Sequence, residues 1–375
     1  MPQDDLLEYF PDFLRPRFKQ LLHHFAVETS ASIAHNDSAQ AAWCAAIPQL
    51  TSSHRFVLQG VIAVSALHLS RYAATDRERQ HFHDISAMQM NTGLISYRET
   101  VANVTQDNAE ALFAFSVTAT SYILLTTADE CNQLLRSLHV RNQDQKLLGI
   151  AIENLIGATS RILRSLRGVL VILVPCWNLI ANGIMSAVVK RDWWPPYPVP
   201  TSPQAIEEDK KLRELENLWM RPTRRYEYWF DVLRQALKLL REDFARVSQL
   251  TVDASSELPS RLVDWSAVMT WPIAIPFSFI ELLEQRRPEA WIIFAHYAIL
   301  PARARHVFWI KDLAPNIVST AALVIGRKMW EHIRWPAAVV GVNLEILLVT
   351  SMAKSLRDET ASSASSSASM GSKFS

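Results

Sequence analysis

Residues 43–72, WCAAIPQLTSSHRFVLQGVIAVSALHLSRY, constrain the fold of this chain more than any other segment. Apolar residues recur at helical spacing over residues 56–69, which predicts a core helix. Gly60, Ala63 and Ala66 keep one face of that helix thin, so a neighbouring helix can approach it closely. A tryptophan-anchored helix precedes it, and the segment therefore predicts a helix pair that builds the core.

The composition extends this expectation to the whole chain. Of 375 residues only 9 are glycine, while 49% are apolar. Average usage is roughly 7% glycine, so turns are few and helix-forming residues are abundant. A chain of this length buries most of its apolar surface without disulfides or metals. We predict an all-α fold, a single large multi-helix array or bundle, and no β-sheet.

The charged residues and cysteines exclude several classes of protein. With 38 basic and 37 acidic residues, the net charge of +1 provides no field that would attract nucleic acid or an anionic membrane. Cys44, Cys131 and Cys176 lie far apart, which excludes a disulfide framework and a CxxC metal cluster. Asp4 and Asp5 stand where a secretory signal would carry positive charge. We expect a reducing compartment and no direct contact with nucleic acid.

One uncharged stretch, residues 168–189, is long enough for a membrane-spanning helix. Pro175 removes a helix hydrogen bond, and Asn178 and Asn182 would lack partners in lipid. We therefore predict two packed helices joined near Pro175 and Cys176, and no membrane span.

Composition also divides the chain into segments. We predict an N-terminal arm at residues 1–14, a helical domain at 15–358 and a disordered serine- and alanine-rich tail at 359–375. Five prolines in residues 193–203 predict a loop near the middle of the domain. Residues 249–260 predict a second linker.

Several helix boundaries follow from local signals. Apolar spacing predicts an amphipathic helix over 15–33, and Asp37 or Ser38 is expected to cap a second helix that Pro48 limits near residue 47. Pro272 and Pro276 predict a kink or break within residues 262–284. A further short helix is expected at 303–310.

The order of four segments carries a family resemblance. The opening segment resembles the pattern W...IP.L...H.FL...ILA.SALHL, and SLRGVLVILVPCWNLI follows at Ser165. RRPEAWIIFAHYAILPARARHVFWIKDLA begins at Arg286, and MWEHIRWPAAVVGV begins at Met329. In this order they resemble the regulatory domain of fungal zinc-cluster transcription factors of the sterol-uptake-control type, over about residues 18–342.

The resemblance implies an α-helical dimer with an apolar pocket, in which the ligand state governs entry into the nucleus. Such regulators normally carry a six-cysteine binuclear zinc module upstream, and the 375 residues contain no such module. We therefore expect a regulator of a fungal pathway, sterol-related or encoded in a secondary-metabolite biosynthetic gene cluster. It would act in the nucleus and/or cytoplasm through a sterol-like or other apolar small molecule, as a homodimer or with a hetero-partner.

Aromatic side chains with a polar tip suit a pocket for a mostly apolar ligand with one hydroxyl group. Histidines in the apolar segments SALHLS and FAHYAIL are more often satisfied core residues than ligand contacts. The candidate ligand contacts are His68, Tyr122, Trp177, Trp271, His296, Tyr297 and Trp309.

The sequence contains no GxGxxG, Walker, GxSxG or HExxH motif, and we expect no cofactor. An alternative is a helical enzyme similar to terpene cyclases, which would hold Mg²⁺ around a diphosphate. Its candidate metal ligands are Asp129, Glu130, Asn182 and Ser186. A second alternative is a dimerisation or scaffold protein without a ligand.

Two charged patterns are typical of solvated helix faces. Arg161, Arg164 and Arg167 recur every three residues, a spacing that a phosphate or acidic partner could also use. His81 and His83 lie about 200° apart on a helix, which argues against a shared metal ion.

Overall fold

The computed structural model describes residues 7, 8, 10–140, 145–221, 225–252 and 261–346. Over these residues the protein is all-α, as predicted. The predicted tail at 359–375, residues 253–260 of the predicted second linker, and residues 1–6 and 9 of the predicted arm at 1–14 lie outside the described residues.

Seven helices form the first half of the chain. They are α1 (Arg15–His24), α2 (Ser30–Ile33), α3 (Asp37–Ser53), α4 (Arg55–Ser70), α5 (Asp76–Val101), α6 (Ala109–Val140) and α7 (Gln145–Leu173). A π-helical turn at Phe25–Thr29 joins α1 to α2, so the predicted helix over 15–33 is nearly continuous.

Ten further helices follow within the described residues. They are α8 (Trp177–Ala181), α9 (Ser186–Val189), α10 (Pro203–Glu214), α11 (Trp229–Gln249), α12 (Thr270–Ala274), α13 (Phe277–Glu284), α14 (Pro288–Tyr297), α15 (Ile299–Ala302), α16 (Leu313–Ile325) and α17 (Arg334–Val340). Single 3₁₀ segments lie at Leu215–Leu218, Trp265–Met269 and Arg327–Ile333. Residues 193–202 of the predicted loop contain no helix or strand, and α10 begins at Pro203, after its N-cap Ser202.

Helix α4 lies at the centre of the first half and packs on α5 and α6. All but three of its residues are buried. A Cβ atom at Gly60 would lie 2.4 Å from Thr118 Oγ1 and 2.9 Å from Phe115 Cδ2, both on α6. The thin face predicted at Gly60 is therefore the face that α6 contacts.

Four predictions about local structure were wrong. Asn36, and not Asp37 or Ser38, caps α3, because its side chain accepts from the backbone N–H of Ala39. Pro48 does not end α3, which continues to Ser53; burial of Ile47 and Leu50 on either side of the proline outweighs one lost backbone hydrogen bond. Residues 303–310 form consecutive turns and not a helix. A two-residue antiparallel ladder, β1 (Thr251–Val252) with β2 (Arg261–Leu262), stands where no sheet was expected.

The predicted breaks at prolines are confirmed. Helix α7 ends at Leu173, two residues before Pro175, and α8 starts at Trp177. Residues 168–189 therefore form no continuous helix. The segment Trp265–Ala274 is bent by 82° relative to Phe277–Glu284. Within the described residues, one helix has the length and apolarity of a membrane span. It is the part of α6 at Ala109–Leu138, and 67% of its most apolar window is buried inside the protein, as is typical of a core helix.

Two large hydrophobic cores organise the molecule. The N-terminal core contains buried residues of α1 to α6 and of the segment after α7, for example Phe18, Trp43, Ile62, Phe115 and Ile180. The C-terminal core contains residues of α10 to α17, for example Leu240, Trp271, Trp291 and Val318. Helices α6 and α7 contribute residues to both cores, so they connect the two halves of the protein.

Candidate ligand cavity between the two cores

A mostly apolar cavity lies between the N-terminal and C-terminal cores, and we call it the inter-core cavity. Its volume is about 330 Å³, within the range of small-molecule sites. Its apolar wall consists of Ile33, Trp43, Phe113, Val117, Leu166, Val169, Leu170, Leu173, Val188, Val189, Met269, Ile273 and Trp309. Helices α6 and α7 therefore form one side, and the segment that follows Asp264 forms another.

Two tryptophans connect the two cores at this cavity. Trp265 donates from Nε1 to the carbonyl oxygen of Ala34 at 2.9 Å, and Trp309 donates to the carbonyl oxygen of Ser32 at 3.3 Å. The two rings pack edge to face with centroids 4.8 Å apart. The end of α2 is thus held by indoles from distant parts of the chain, which fixes the wall of the cavity.

One end of the cavity is polar and is organised around Asp264, whose side chain is fully buried. Its Oδ2 accepts from Arg191 Nε and from Trp194 Nε1, each at 2.8 Å. Its Oδ1 accepts from the backbone N–H of Ser266 at 2.9 Å and from the Ser266 hydroxyl at 2.6 Å. Both carboxylate oxygens are therefore satisfied, and the charge of Asp264 balances that of Arg191.

His35 and Trp43 bring unpaired polar atoms to the same cavity. Both line it, and among the described residues neither Nε2 of His35 nor Nε1 of Trp43 has a hydrogen-bond partner. His35 is 8% exposed and stacks on Trp193 with ring centroids 5.2 Å apart. A buried polar atom without a partner costs about 1–3 kcal/mol, a cost that a bound polar group would remove.

The cavity is electrically neutral near pH 7. Burial and, to a smaller extent, the nearby charge of Arg191 lower the pKa of His35 to about 4, although the charge of Asp264 opposes the shift. His35 is therefore an uncharged imidazole, and the Arg191–Asp264 pair carries no net charge. A neutral ligand that is mostly apolar and has one or two hydrogen-bonding groups would match these walls.

Of the seven predicted ligand contacts, only Trp309 lines the inter-core cavity. Trp271 and Tyr297 lie in the C-terminal core, where Trp271 donates to the carbonyl of Ala236 and Tyr297 donates to that of Val268. His296 is also buried there, and its Nδ1 lies 2.8 Å from the carbonyl oxygen of Ile292. Another pocket, of about 370 Å³ and beside α10 and α17, includes His296.

The other three candidates lie elsewhere. His68 is a satisfied core histidine: its Nδ1 lies 3.0 Å from Thr29 Oγ1, and its ring stacks on Phe308 at 3.8 Å. Tyr122 is partly buried and packs against both cores. Trp177 is 44% exposed.

The structure does not bring the candidate magnesium ligands together. Asp129 and Glu130 each pair with a different arginine, Arg71 and Arg161. Asn182 and Ser186 flank Met185, whose backbone N–H donates to Glu110 near the start of α6. Glu110 and Asp129 lie about 28 Å apart along α6, because an α-helix rises about 1.5 Å per residue. No group of three or more His, Cys, Asp or Glu that could hold a metal occurs in the described part of the chain.

The arginine stripe on α7 makes contacts within the protein. Arg161 pairs with Glu130, and Arg164 Nη2 lies 2.9 Å from Glu284 Oε1. Arg167 donates to the carbonyl of Ile275. The stripe therefore joins α7 to α6, to α13 and to the bend before α13.

Sequence reasoning missed most residues of the cavity. Trp43 was predicted as an anchor of the core, and it is fully buried, but His35, Arg191, Trp194 and Asp264 were not singled out. The adjacent tryptophans in RDWWPP were the available signal, because two large aromatics within a proline-rich loop need a surface to pack against.

Comparisons with known proteins agree with the resemblance seen in the sequence. Residues 20–145 match the family model described as the fungal specific transcription factor domain. The matched residues run from within α1 to the end of α6, and they contain most of the N-terminal core and one wall of the inter-core cavity.

Two curated relatives extend the similarity beyond this domain. A Zn(2)-C6 fungal-type transcription factor of Gibberella zeae is 23% identical over 336 residues, which are 85% of this chain and 61% of that protein. The Zn(2)-C6 fungal-type transcription factor afumD of Aspergillus fumigatus is 23% identical over 287 residues, 75% of this chain and 66% of that protein. The chain thus spans less than two thirds of the length of either relative.

Proposed function

We propose that this chain is the regulatory part of a fungal transcriptional regulator, controlled by a neutral, mostly apolar small molecule that binds in the inter-core cavity. The match to the fungal specific transcription factor domain and the similarity to both relatives support a role in transcriptional regulation. The main support for a ligand is the apolar cavity, whose lining residues His35 and Trp43 have an unpaired Nε2 and an unpaired Nε1. The ligand would be sterol-like or a secondary metabolite of similar polarity.

The mechanism would be a shift between packings of the two cores. Helices α6 and α7 run through both cores, and the cavity lies where the cores meet. A ligand that fills the cavity stabilises the arrangement in which Trp265 and Trp309 hold the end of α2. It can shift the equilibrium only by its difference in affinity for the two arrangements.

Reading of DNA would come from outside these 375 residues. Three cysteines are too few for a six-cysteine zinc module. Cys131 and Cys176 are also buried. Burial raises the pKa of Cys131 to about 12, so its thiol is protonated near pH 7.

Filling the cavity tests the proposal. Val117 lines the inter-core cavity and is partly buried, so Val117→Phe places a ring in the space that the ligand needs. Val171 is 67% exposed on α7, and Val171→Phe makes the same chemical change at the surface. Each form would be purified from a fungal host and extracted with organic solvent, and the released neutral lipids would be identified by mass spectrometry.

We expect extraction of the wild-type chain and of Val171→Phe to release a neutral apolar compound. Val117→Phe should release little of it. Transcripts of the controlled pathway, measured in strains that carry each form, should change with Val117→Phe only. Equal lipid content in all three forms would overturn the ligand proposal. A strain that lacks the gene and shows no change in transcripts would overturn the transcriptional role and would favour a scaffold.

A further inference from the structure

A second cavity, distinct from the inter-core cavity, lies where the end of α4 meets α5, α6 and the turns before α16; we call it the polar cavity. Its volume is about 730 Å³, more than twice that of the inter-core cavity. The residues that line it are Ser70, Arg71, Tyr72, Arg79, His83, Asp129, Asn132, Gln133, Arg136, Phe308, Lys311 and Asp312.

The charges in this wall are unbalanced. It contains four cationic side chains and two carboxylates. Arg71 forms ion pairs with both carboxylates. Its Nη2 lies 2.9 Å from Asp129 Oδ1, and its Nη1 lies 3.7 Å from Asp312 Oδ2. Arg79 pairs with Asp76 on its own helix. The carboxylates of the wall are therefore engaged by Arg71, and the remaining positive charge lies on other residues.

Arg136 and Lys311 carry the positive charge that has no counter-charge. Within the described part of the chain, neither makes an ion pair or a hydrogen bond. Arg136 lies on α6 and Lys311 lies in the turns before α16, so they come from different elements of the wall. Asn132 and Gln133, beside Arg136 on α6, add amide groups without hydrogen-bond partners among the described residues.

We propose that the polar cavity binds a small organic phosphate, with its dianionic group held by Arg136 and Lys311. The excess of two positive charges matches a phosphate monoester dianion, and the guanidinium fork binds phosphate oxygens in pairs. The cavity is much larger than a phosphate group, and Asn132, Gln133 and the rings of Tyr72 and Phe308 are suited to a polar organic part. The proposal does not depend on a ligand in the inter-core cavity.

The experiment measures binding of inorganic pyrophosphate and of glucose 6-phosphate to the full chain by isothermal titration calorimetry. The test variant is Arg136→Gln/Lys311→Gln. The control variant is Lys210→Gln/Lys328→Gln, which removes two positive charges from exposed lysines outside the cavity. Because all four side chains are exposed, we expect both variants to keep the thermal unfolding midpoint of the wild-type chain.

We expect the test variant to bind each probe at least about tenfold more weakly than the control, because each charge-assisted contact contributes about a factor of ten. Arg136→Lys alone should retain part of the affinity, since it keeps the charge and loses the fork. No binding by the wild-type chain, or equal weakening in both double variants, would overturn the proposal. The proposal would also be overturned if neither phosphate probe bound, while duplex DNA bound to the wild-type chain and not to the test variant.

Discussion

Arg191 and Asp264 form an ion pair across the polar end of the inter-core cavity, with Arg191 Nε 2.8 Å from Asp264 Oδ2. The Asp264 side chain is fully buried and that of Arg191 is 19% exposed. Loss of one charge would leave the other without a counter-charge in an apolar environment, which typically costs about 3–5 kcal/mol. This relationship gives the first prediction.

We expect Asp264→Asn to lower the free energy of unfolding by about 3–5 kcal/mol. The additional change Arg191→Met should recover part of that loss, because it removes the unpaired cation. Asp231→Asn provides the control, since Asp231 pairs with Arg234 at an exposed site and should cost no more than about 1 kcal/mol. Urea denaturation measures all three. A loss for Asp264→Asn as small as that for Asp231→Asn would contradict the prediction.

Two glycines in helices predict opposite effects of the same substitution. A Cβ at Gly60 would meet Phe115 and Thr118 at distances below contact, whereas a Cβ at Gly157 would have no atom within 4 Å. We expect Gly60→Ala to reduce the free energy of unfolding by about 1–3 kcal/mol through overpacking. Gly157→Ala should increase it by about 0.5–1 kcal/mol, because alanine loses less backbone entropy in a helix. Denaturant titration of both variants measures these changes in the free energy of unfolding. Stabilisation by Gly60→Ala would show that α4 and α6 are less closely packed than described.

Buried histidines predict a loss of stability in mild acid. Burial lowers the pKa values of His35, His68 and His296 to about 4 each, from an ordinary value of 6.5. Between about pH 6.5 and pH 4 the unfolded chain therefore binds protons that the folded chain does not. The stabilisation from these groups is complete above pH 6.5 and declines as the pH falls to about 4, by up to about 1.4 kcal/mol per pH unit for each histidine.

The variant His296→Gln isolates one of these contributions. We expect its free energy of unfolding to fall less steeply between pH 6.5 and pH 4 than that of the wild-type chain. His81→Gln, at an exposed position on α5, should retain the wild-type slope. Urea titrations at several pH values measure the slopes, and identical slopes for all three proteins would contradict a neutral buried His296.

Replacement of His35 should weaken ligand binding without lowering the stability of the fold. His35→Phe keeps a ring that can stack on Trp193 and removes the unpaired Nε2, so the free energy of unfolding should not decrease. Retention of the apolar ligand should fall about tenfold, since one hydrogen bond within the cavity is lost. Quantitative mass spectrometry of extracted ligand, together with denaturation of the same samples, measures both. Unchanged retention would exclude His35 as a ligand contact.

The helical architecture was predictable because its signals are local. The apolar periodicity of residues 56–69 predicted α4, and Pro272 and Pro276 predicted the bend of 82° that follows. Pro48 shows the limit of a local rule, since packing of Ile47 and Leu50 keeps α3 continuous through the proline.

The inter-core cavity was not predictable in the same way. Arg191 and Asp264 lie far apart in the sequence, and although tryptophans follow both of them, nothing in either segment indicates that the two residues pair. His35 precedes Asn36, which caps α3 by accepting from the N–H of Ala39, so its surroundings resemble an ordinary exposed helix start. Only the contact between the two cores buries these side chains. The sequence predicted ligand contacts at Trp271, His296 and Tyr297. In the structure the polar atoms of these side chains contact nearby backbone carbonyl groups instead.

Phe308 and Trp309 are consecutive residues, yet Phe308 lines the polar cavity and Trp309 lines the inter-core cavity. A single peptide unit therefore belongs to the walls of two chemically different compartments, one suited to anions and the other to neutral apolar molecules. If occupancy of either compartment displaces this unit, thermodynamic linkage requires the two affinities to change by the same factor in both directions. Positive coupling would make each ligand bind more tightly when the other is present, and negative coupling would make the two ligands exclude one another.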